Sequence, residues 1–253
     1  ALNDHLSELR AGRLPSVFEA LGFHHEGPVD GHDLNSLLAT LQRARDKTEP
    51  GPVLIHVVTE KGRGHPFSAP DKEHYHAVAK FDPVTFEFKT SKANAPTFTQ
   101  VFASSLIAAA ARDPKLVAIT AAMPSGTGLD IFAERFPNRT LDVGIAEQHA
   151  VTFSAGMATQ GLIPYCNIYS SFMQRAFDQV LHDVALQKLN VVFCLDRGGL
   201  VGADGPTHHG AYDIAYMRCI PHMVVSSPMN ESELRNLMYS AQANPQGAYT
   251  IRY

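Results

Sequence analysis

Short apolar runs alternate with longer amphipathic segments along most of the chain, and this alternation limits the possible folds more than any other feature. Leu116–Thr120, Pro164–Tyr169 and Val191–Leu195 have the length and apolar content of strands. Thr97–Arg112 and Glu231–Ala243 have the length and period of helices. Strands that are apolar on both faces are typical of a parallel sheet covered by helices on each side. The sequence therefore predicts an α/β fold with a parallel sheet flanked by helices.

The same pattern predicts the other elements of the second half of the chain. They are strands at 139–143, 223–226 and 249–253, a helix at 129–136, a helix that contains Glu147 and ends near residue 160, and a helix at 172–187. Along the last of these helices, Phe172, Ala176, Val180 and Val184 recur every four residues, which predicts one buried face.

A segment rich in Gly, Pro, His and Lys interrupts the alternation between about residues 60 and 95. Irregular segments of that length are uncommon within one domain. Before it we expect a helix over 32–47 and a central parallel strand over Val53–Thr59. The sequence therefore predicts a domain boundary near the end of the segment. Residues 1–94 would form the end of one α/β domain with a linker, and residues 95–253 a second domain.

The charge and composition exclude several classes of partner. The formal net charge is −4, and no basic stripe with interleaved aromatic residues occurs, so we expect no nucleic-acid partner. No apolar run is long enough to span a bilayer, so we expect no membrane partner. The three cysteines, Cys166, Cys194 and Cys219, are widely spaced, and we interpret them as reduced core residues of a cytoplasmic protein.

Glu147 is the only formally charged residue between Val143 and Arg175. Apolar residues fall on most faces of the helix predicted there, which indicates a buried helix. A buried carboxyl group needs a partner, and desolvation favours its neutral form, so Glu147 could hold or exchange a proton near neutral pH. The pattern supports equally well a structural acid that is paired with a neighbour such as His149 or placed at a helix N-terminus.

Unusual segments follow several of the predicted strands, at 60–65, 142–147, 169–175 and 196–210. Ligands of open α/β sheets bind beyond the carboxyl ends of the strands, so we expect these segments to share a site. The segment 196–210 has five glycines, which permit close backbone approach to a ligand. Its Arg197 offers a fork for phosphate, and Asp204 and His208 offer acid–base groups. A surface loop is the alternative, but so many titratable groups favour a site.

Two further features are weaker indications of a functional site. Phe172 begins a predicted helix, and on the residues alone we expect it to pack in the core. The basic segment that contains Lys61 resembles a phosphate-contacting turn but lacks the spacing of a Walker A motif. No zinc-type spacing of His and Cys occurs, and we predict no metal ligand in this chain.

Several long segments resemble the 1-deoxy-D-xylulose-5-phosphate synthase family, which is a family of transketolase-like thiamine diphosphate enzymes. The similar segments are Gly27–Asp33, His76–Asp82, Asp142–Phe153, Tyr169–Asp183, Asp196–Gly210 and Tyr216–Pro221. Together they extend over nearly the whole chain. Other transketolase-like enzymes share the Glu147 helix but not the loop at 202–208.

This resemblance implies a thiamine diphosphate-binding fold, with the end of a diphosphate-binding domain followed by a pyrimidine-binding domain. It also implies a transferase of the transketolase class, which condenses pyruvate with glyceraldehyde 3-phosphate, with loss of carbon dioxide, in isoprenoid and thiamine biosynthesis. Thiamine diphosphate and Mg²⁺ are the implied cofactors, and a homodimer is the implied assembly. The implied location is the cytoplasm, or the plastid stroma if the source is a plant.

The resemblance also implies roles for individual residues. Glu147 would hydrogen-bond N1′ of the cofactor's aminopyrimidine and so favour the imino tautomer that removes the C2 proton. Phe172 would stack on the pyrimidine, contrary to the core-packing expectation. Ile145 and Met123 would line the cofactor cleft.

The remaining implied roles concern the substrates. Tyr169, Arg175 and Arg197 match positions near the acceptor, with Arg197 as a phosphate ligand. Asp204 and His208 match groups that handle substrate hydroxyls and protons. In the first domain, Lys61 and His76 match residues that face cofactor and substrate.

The sequence departs from the family at several points. The Gly-Asp-Gly…Asn segment that holds Mg²⁺ is absent and is expected before residue 1, and the third domain is expected after Tyr253. Gly198 stands where the family usually has alanine. An arginine used for phosphate is expected just past Arg252. We therefore expect a fragment that alone binds the cofactor poorly and is inactive. A transketolase with another acceptor and a non-catalytic assembly module are the alternatives.

Overall fold

The computed structural model describes residues 16–66, 75, 80–88, 95–243 and 247–253, without the side chain of Ala203. The chain divides into two compact units, Ala1–Ser91 and Lys92–Tyr253.

The first unit contains a two-stranded parallel sheet. Strand β1 (His24–Asp30) pairs with β2 (Val53–Val58), and helix α2 (Leu34–Asp46) connects them. A short helix, α1 (Val17–Ala20), precedes β1. The prediction that 53–59 is a central strand buried on both faces is wrong for the described residues, because β2 pairs only with β1 and its second half is exposed.

The second unit is built on a six-stranded parallel sheet. Its strands, in chain order, are β3 (Leu116–Thr120), β4 (Thr140–Asp142), β5 (Ile163–Tyr169), β6 (Val192–Asp196), β7 (Val224–Ser226) and β8 (Tyr249–Arg252). In space their order is β4-β3-β5-β6-β8-β7. Every residue of β3 and β6 is buried, as the fully apolar runs predicted.

Helices cover both faces of this sheet. They are α3 (Phe98–Ala110), α4 (Pro124–Thr127), α5 (Leu129–Arg135), α6 (Glu147–Thr159), α7 (Ser170–Met173), α8 (Phe177–Gln179), α9 (Asp213–Met217) and α10 (Glu231–Ala243). One core cluster includes Ile119 and Phe193 with α6, and the other includes Leu116 and Val192 with α3 and α10. The prediction of an α/β fold with a parallel sheet between helices is confirmed.

A continuous helix over 172–187 is not observed. The segment divides into α7, a 3₁₀ turn (Gln174–Ala176), α8 and a π-helix (Val180–Ala185). Ala176, Val180 and Val184 are nonetheless fully buried, so the predicted face is correct. The hydrophobic period identifies buried positions but carries no information on changes of helical winding.

Two other predictions are wrong. Cys219 is exposed, although Cys166 and Cys194 are buried. Helix α6 buries only one face, because Gln148, His149, Thr152 and Phe153 are exposed. No helix in the described ranges is both long enough and apolar enough to cross a membrane.

Candidate functional site

The site residues of the second unit come from segments that follow four parallel strands. Met123 follows β3, and Glu147 follows β4. Phe172 and Arg175 follow β5, whose last residue is Tyr169. The segment after β6 carries Arg197, Asp204 and His208. Because the strands are parallel, their carboxyl ends lie at one edge of the sheet, and this edge is where ligands of open α/β sheets bind.

Glu147 is the first residue of α6 and is only 3% exposed. Arg175 Nη1 donates a hydrogen bond to Glu147 Oε1 at 2.5 Å, and the arginine side chain is half-exposed. Among the described residues, no hydrogen bond reaches the other oxygen, Oε2. The carboxylate is also favoured by the positive end of the helix dipole. Glu147 is therefore a buried acceptor with one oxygen engaged, and its partner is Arg175 rather than His149.

His149 could not serve as that partner, because residues two apart on a helix do not face each other. Its ring instead stacks on Phe153, with 5.6 Å between centroids.

Phe172 joins the Glu147 pair to the loop after β6. Its ring lies parallel to that of Tyr169, with 5.7 Å between centroids and an angle of 8°. The edge contact with His208 has 5.2 Å between centroids, and Arg175 Cζ lies 5.1 Å from the Phe172 centroid. Phe172 also packs against the core while remaining partly exposed, so the core-packing prediction is confirmed in part, and the stacking role stays a prediction.

The guanidinium of Arg197 lies over the Tyr169 ring, with Cζ 4.6 Å from its centroid. Nη1 donates to Asp196 Oδ1 and to the carbonyl oxygen of Gly126, both at 2.9 Å. Burial lowers the pKa of Arg197, but the hydrogen bond and charge of Asp196 outweigh it, and the net pKa is raised. The guanidinium is thus a fixed cation beside an aromatic ring.

Burial also raises the pKa of Tyr169. The Arg197 charge opposes this shift, and the charges of Asp196 and Asp204 add to it. The Tyr169 phenol therefore stays protonated near neutral pH and can donate a hydrogen bond.

The loop after Arg197 is closed at its base. Gly199 and Gly210 exchange two backbone hydrogen bonds of 2.8 Å. Beneath them Arg252 Nε donates to the buried Asp213 Oδ2 at 2.7 Å. Asp204 and His208 each lie in a 3₁₀ turn of this loop. Both residues therefore lie in the irregular part of the chain that the two glycines close.

The other predicted residues are distributed differently. Met123 Cε lies beside Gly126. A Cβ placed on Gly126 would be 3.3 Å from Met123 Cε and would overlap the Tyr169 hydroxyl. Ile145 is 81% exposed. Lys61 is exposed in the turn after β2, in the first unit, and His76 lies outside the described residues.

Sequence analysis missed two residues of the site. The Thr99 hydroxyl donates to Asp196 Oδ2 at 2.9 Å, although the residues are 97 positions apart. Asp196 belongs to the glycine-rich segment, but nothing in the sequence indicates Thr99. The connection from Glu147 through Arg175, Phe172 and Tyr169 to Arg197 is likewise visible only in three dimensions.

The second unit has the fold of transketolases, which is a thiamine diphosphate-dependent fold. A split-gene transketolase described as an inactive β4 tetramer matches with a TM-score of 0.56 and 29% identity, over 62% of this chain and 50% of that one. The transketolase of Leishmania mexicana matches with a TM-score of 0.58 and 18% identity, over 64% of this chain and 26% of that one.

The chain belongs to the family described as transketolase, pyrimidine binding domain, whose model matches residues 94–253. A second family model, described as 1-deoxy-D-xylulose-5-phosphate synthase, matches residues 2–59.

Relatives of this chain are described by the name of the second family model. The 1-deoxy-D-xylulose-5-phosphate synthase of Cytophaga hutchinsonii is 54% identical over 242 residues, which is 94% of this chain and 38% of that relative. A chloroplastic 1-deoxy-D-xylulose-5-phosphate synthase 1 of Oryza sativa subsp. japonica is 52% identical over 252 residues, which is 100% of this chain and 35% of that relative. The chain thus spans little more than a third of the length of these relatives.

Proposed function

We propose that this chain is part of a 1-deoxy-D-xylulose-5-phosphate synthase and forms the pyrimidine-binding region of its active site. The full-length protein would condense pyruvate with glyceraldehyde 3-phosphate and release carbon dioxide. The observation that carries the proposal is Glu147, a buried carboxylate at a helix N-terminus with one oxygen that accepts no hydrogen bond from the described residues. Relatives of that name at 54% and 52% identity support the choice of reaction.

The residues present fit the aminopyrimidine end of thiamine diphosphate. Glu147 Oε2 can accept from, or share a proton with, a ring nitrogen, and Phe172 offers a partly exposed aromatic face. Bound thiamine diphosphate would supply the electron sink that decarboxylation of a 2-oxo acid requires. Arg175 would then fix the orientation of the Glu147 carboxylate, so that its free oxygen holds the proton at one position. Met123 and Ile145 would line the cleft.

The acceptor end of the site would be formed by Tyr169, Arg197 and the loop after it. Arg197 would bind the phosphate of the acceptor, because its guanidinium is a fixed, partly exposed cation. His208, which touches Phe172, and Asp204 would exchange protons with substrate hydroxyls. Lys61 and His76, from residues 1–94, would contribute from the diphosphate-binding domain.

Mg²⁺, the assembly and the location are also proposals. No group of three or more His, Cys, Asp or Glu side chains among the described residues could hold a metal ion, so we assign Mg²⁺ to the family's Gly-Asp-Gly…Asn segment, which this sequence lacks. We propose a homodimer of the full-length protein, in the cytoplasm or, in a plant, the plastid stroma.

The split-gene transketolase supports one further proposal. That protein is described as an inactive β4 tetramer. By analogy, we expect the 253-residue chain alone to bind thiamine diphosphate poorly and to be inactive. Titration calorimetry that detects tight binding of thiamine diphosphate to this chain would contradict the expectation.

The decisive assay uses the full-length protein with pyruvate and glyceraldehyde 3-phosphate. We expect carbon dioxide and 1-deoxy-D-xylulose 5-phosphate to form in equal amounts. A transketolase with another acceptor would use ketose donors instead, and a non-catalytic assembly module would give no product with either donor. Arg197→Ala should raise the KM for glyceraldehyde 3-phosphate, and an unchanged KM would remove Arg197 from phosphate binding.

A further inference from the structure

Asp196, the last residue of β6, is a buried carboxylate whose two oxygens are both occupied. It is 4% exposed. Its Oδ1 accepts the backbone N–H of Arg197 at 2.7 Å and Arg197 Nη1 at 2.9 Å. Its Oδ2 accepts the Thr99 hydroxyl at 2.9 Å. Because each oxygen already accepts at least one hydrogen bond inside the protein, Asp196 is suited to holding its neighbours in place rather than to exchanging a proton with a substrate.

The arrangement fixes both the backbone and the side chain of Arg197. Arg197 has a φ of 63°, a left-handed conformation that residues other than glycine adopt only when their surroundings impose it. The bond from its N–H to Asp196 is one such constraint, and the bond from Nη1 to the same oxygen is a second. Thr99, on α3, keeps the carboxylate from rotating. Asp196 therefore determines where the guanidinium lies.

Within the described part of the chain, the guanidinium makes hydrogen bonds through one nitrogen only. Nη1 donates to Asp196, to the Gly126 carbonyl and, at 3.5 Å, to the Thr99 hydroxyl, while Cζ lies over the Tyr169 ring. Among the described residues, no acceptor contacts Nε or Nη2. The Nε–H and Nη2–H groups form the edge that can grip two oxygens of a phosphate at once. The free edge is thus the one suited to a bidentate contact.

We infer that Asp196 is a positioning residue for phosphate recognition: together with Thr99, it holds Arg197 by Nη1 so that the Nε/Nη2 edge is left for the phosphate of the acceptor. This inference rests on the proposed function, in which Arg197 binds that phosphate. It assigns specificity for a phosphorylated acceptor to a carboxylate that does not touch the substrate.

The test uses the full-length protein, saturating pyruvate and two acceptors, glyceraldehyde 3-phosphate and unphosphorylated glyceraldehyde. Asp196→Asn keeps the size of the side chain and removes its charge, and Thr99→Val removes only the hydroxyl. We expect Asp196→Asn to raise the KM for the phosphorylated acceptor about tenfold, and Thr99→Val to raise it less. The kcat and the KM for glyceraldehyde should change much less.

The same substitutions in an Arg197→Ala background separate positioning from a structural role. If Asp196 acts through Arg197, then Asp196→Asn raises KM no further once the guanidinium is gone. An equal effect in both backgrounds, or on both acceptors, would overturn the inference. Should Asp196→Asn fail to fold by circular dichroism, Thr99→Val gives the same decision.

Different results would refute the proposed function and the positioning role of Asp196. A wild-type protein that forms no 1-deoxy-D-xylulose 5-phosphate would refute the proposed function and remove the basis of the inference. An active wild type whose variants affect both acceptors alike would refute the inference alone.

Discussion

The two ends of the site repeat one arrangement. At one end, the buried Glu147 pairs with Arg175, whose guanidinium lies 5.1 Å from the ring of Phe172. At the other, the buried Asp196 pairs with Arg197, whose guanidinium lies 4.6 Å from the ring of Tyr169. The two aromatic rings stack on each other. Each end thus has an acid, an arginine and an aromatic ring, joined at the centre.

The difference lies in how completely each acid is satisfied. Asp196 accepts three hydrogen bonds, from two residues, through both oxygens. Glu147 accepts one from the described residues, through one oxygen, and the donor is an arginine that is half-exposed. A buried carboxylate with both oxygens engaged stabilises its surroundings, whereas one with an unengaged oxygen can still bind a further donor there. Equal burial of two acids therefore does not imply equal roles.

The largest expected effect is on kcat, and it distinguishes the chemical roles of Glu147 and Asp196. In the full-length protein, Glu147→Gln should lower kcat by about 100-fold or more, because an amide cannot exchange the proton that the carboxylate does. Asp196→Asn should lower kcat far less, since its expected effect is on KM. The measurement is steady-state turnover, with circular dichroism to check the fold. Equal losses of kcat in the two variants would end the distinction.

The next effect is on stability, to which we expect Asp196 to contribute more than Glu147. Asp196→Ala removes the acceptor of the Thr99 hydroxyl and one acceptor of Arg197 Nη1, which keeps the Gly126 carbonyl, and we expect it to lower the free energy of unfolding by about 3 kcal/mol. Glu147→Ala, which breaks one bond to a half-exposed arginine, should cost about 1 kcal/mol. Urea unfolding of the 253-residue chain measures both. A larger loss for Glu147→Ala would contradict the assignment.

A smaller effect tests the junction between the two ends. A Cβ on Gly126 would overlap the Tyr169 hydroxyl, so Gly126→Ala should displace that ring from Phe172 and cost about 2 kcal/mol. Gly156→Ala is the matched control, because no atom lies within 4 Å of a Cβ there, and helix α6 should gain about 0.5 kcal/mol. Urea unfolding and near-ultraviolet circular dichroism report the change. Similar losses in both variants would argue against a tight contact at Gly126.

The smallest effect concerns Gly198, at the Asp196 end. A Cβ there would lie 3.0 Å from Arg252 Nη2, and Arg252 is tied to the buried Asp213. This crowding opposes the roughly 0.5 kcal/mol that alanine gains by restricting the unfolded chain. Gly198→Ala should therefore change the free energy of unfolding by less than about 0.5 kcal/mol. A loss above about 1.5 kcal/mol would show that Arg252 cannot yield.

The sequence predicted elements well where local pattern determines them. The bounds of Leu116–Thr120 and Glu231–Ala243 agree with the structure, because the first is a short continuous apolar run and the second has a clear helical period. β1 was not predicted, since His24–Asp30 contains Gly, Pro and acidic residues that are uncommon in strands. The end of α6 near residue 160 was predicted correctly, but its exposed face was not, because the pattern is apolar on most sides.

The residues of the candidate site could be proposed from the sequence, but their contacts could not. Charge, glycine content and position after strands point to Glu147, Arg197 and the loop after β6, whose roles stay predictions. The partners could not, because Arg175 is 28 residues from Glu147 and Thr99 is 97 residues from Asp196. Contacts at such separations depend on which strands are neighbours in the sheet. The difference between Glu147 and Asp196 is therefore visible only in the three-dimensional structure.

The paired glycines at the base of the loop after β6 have a consequence for how such proteins diversify. With Gly199 and Gly210 bonded to each other, the residues between them form a cassette whose ends meet at one point of the scaffold. The register of β6 with β5 and β8 is set by pairs that lie outside the cassette. The residues between the two glycines can therefore vary in sequence while the sheet that carries them keeps its pairing.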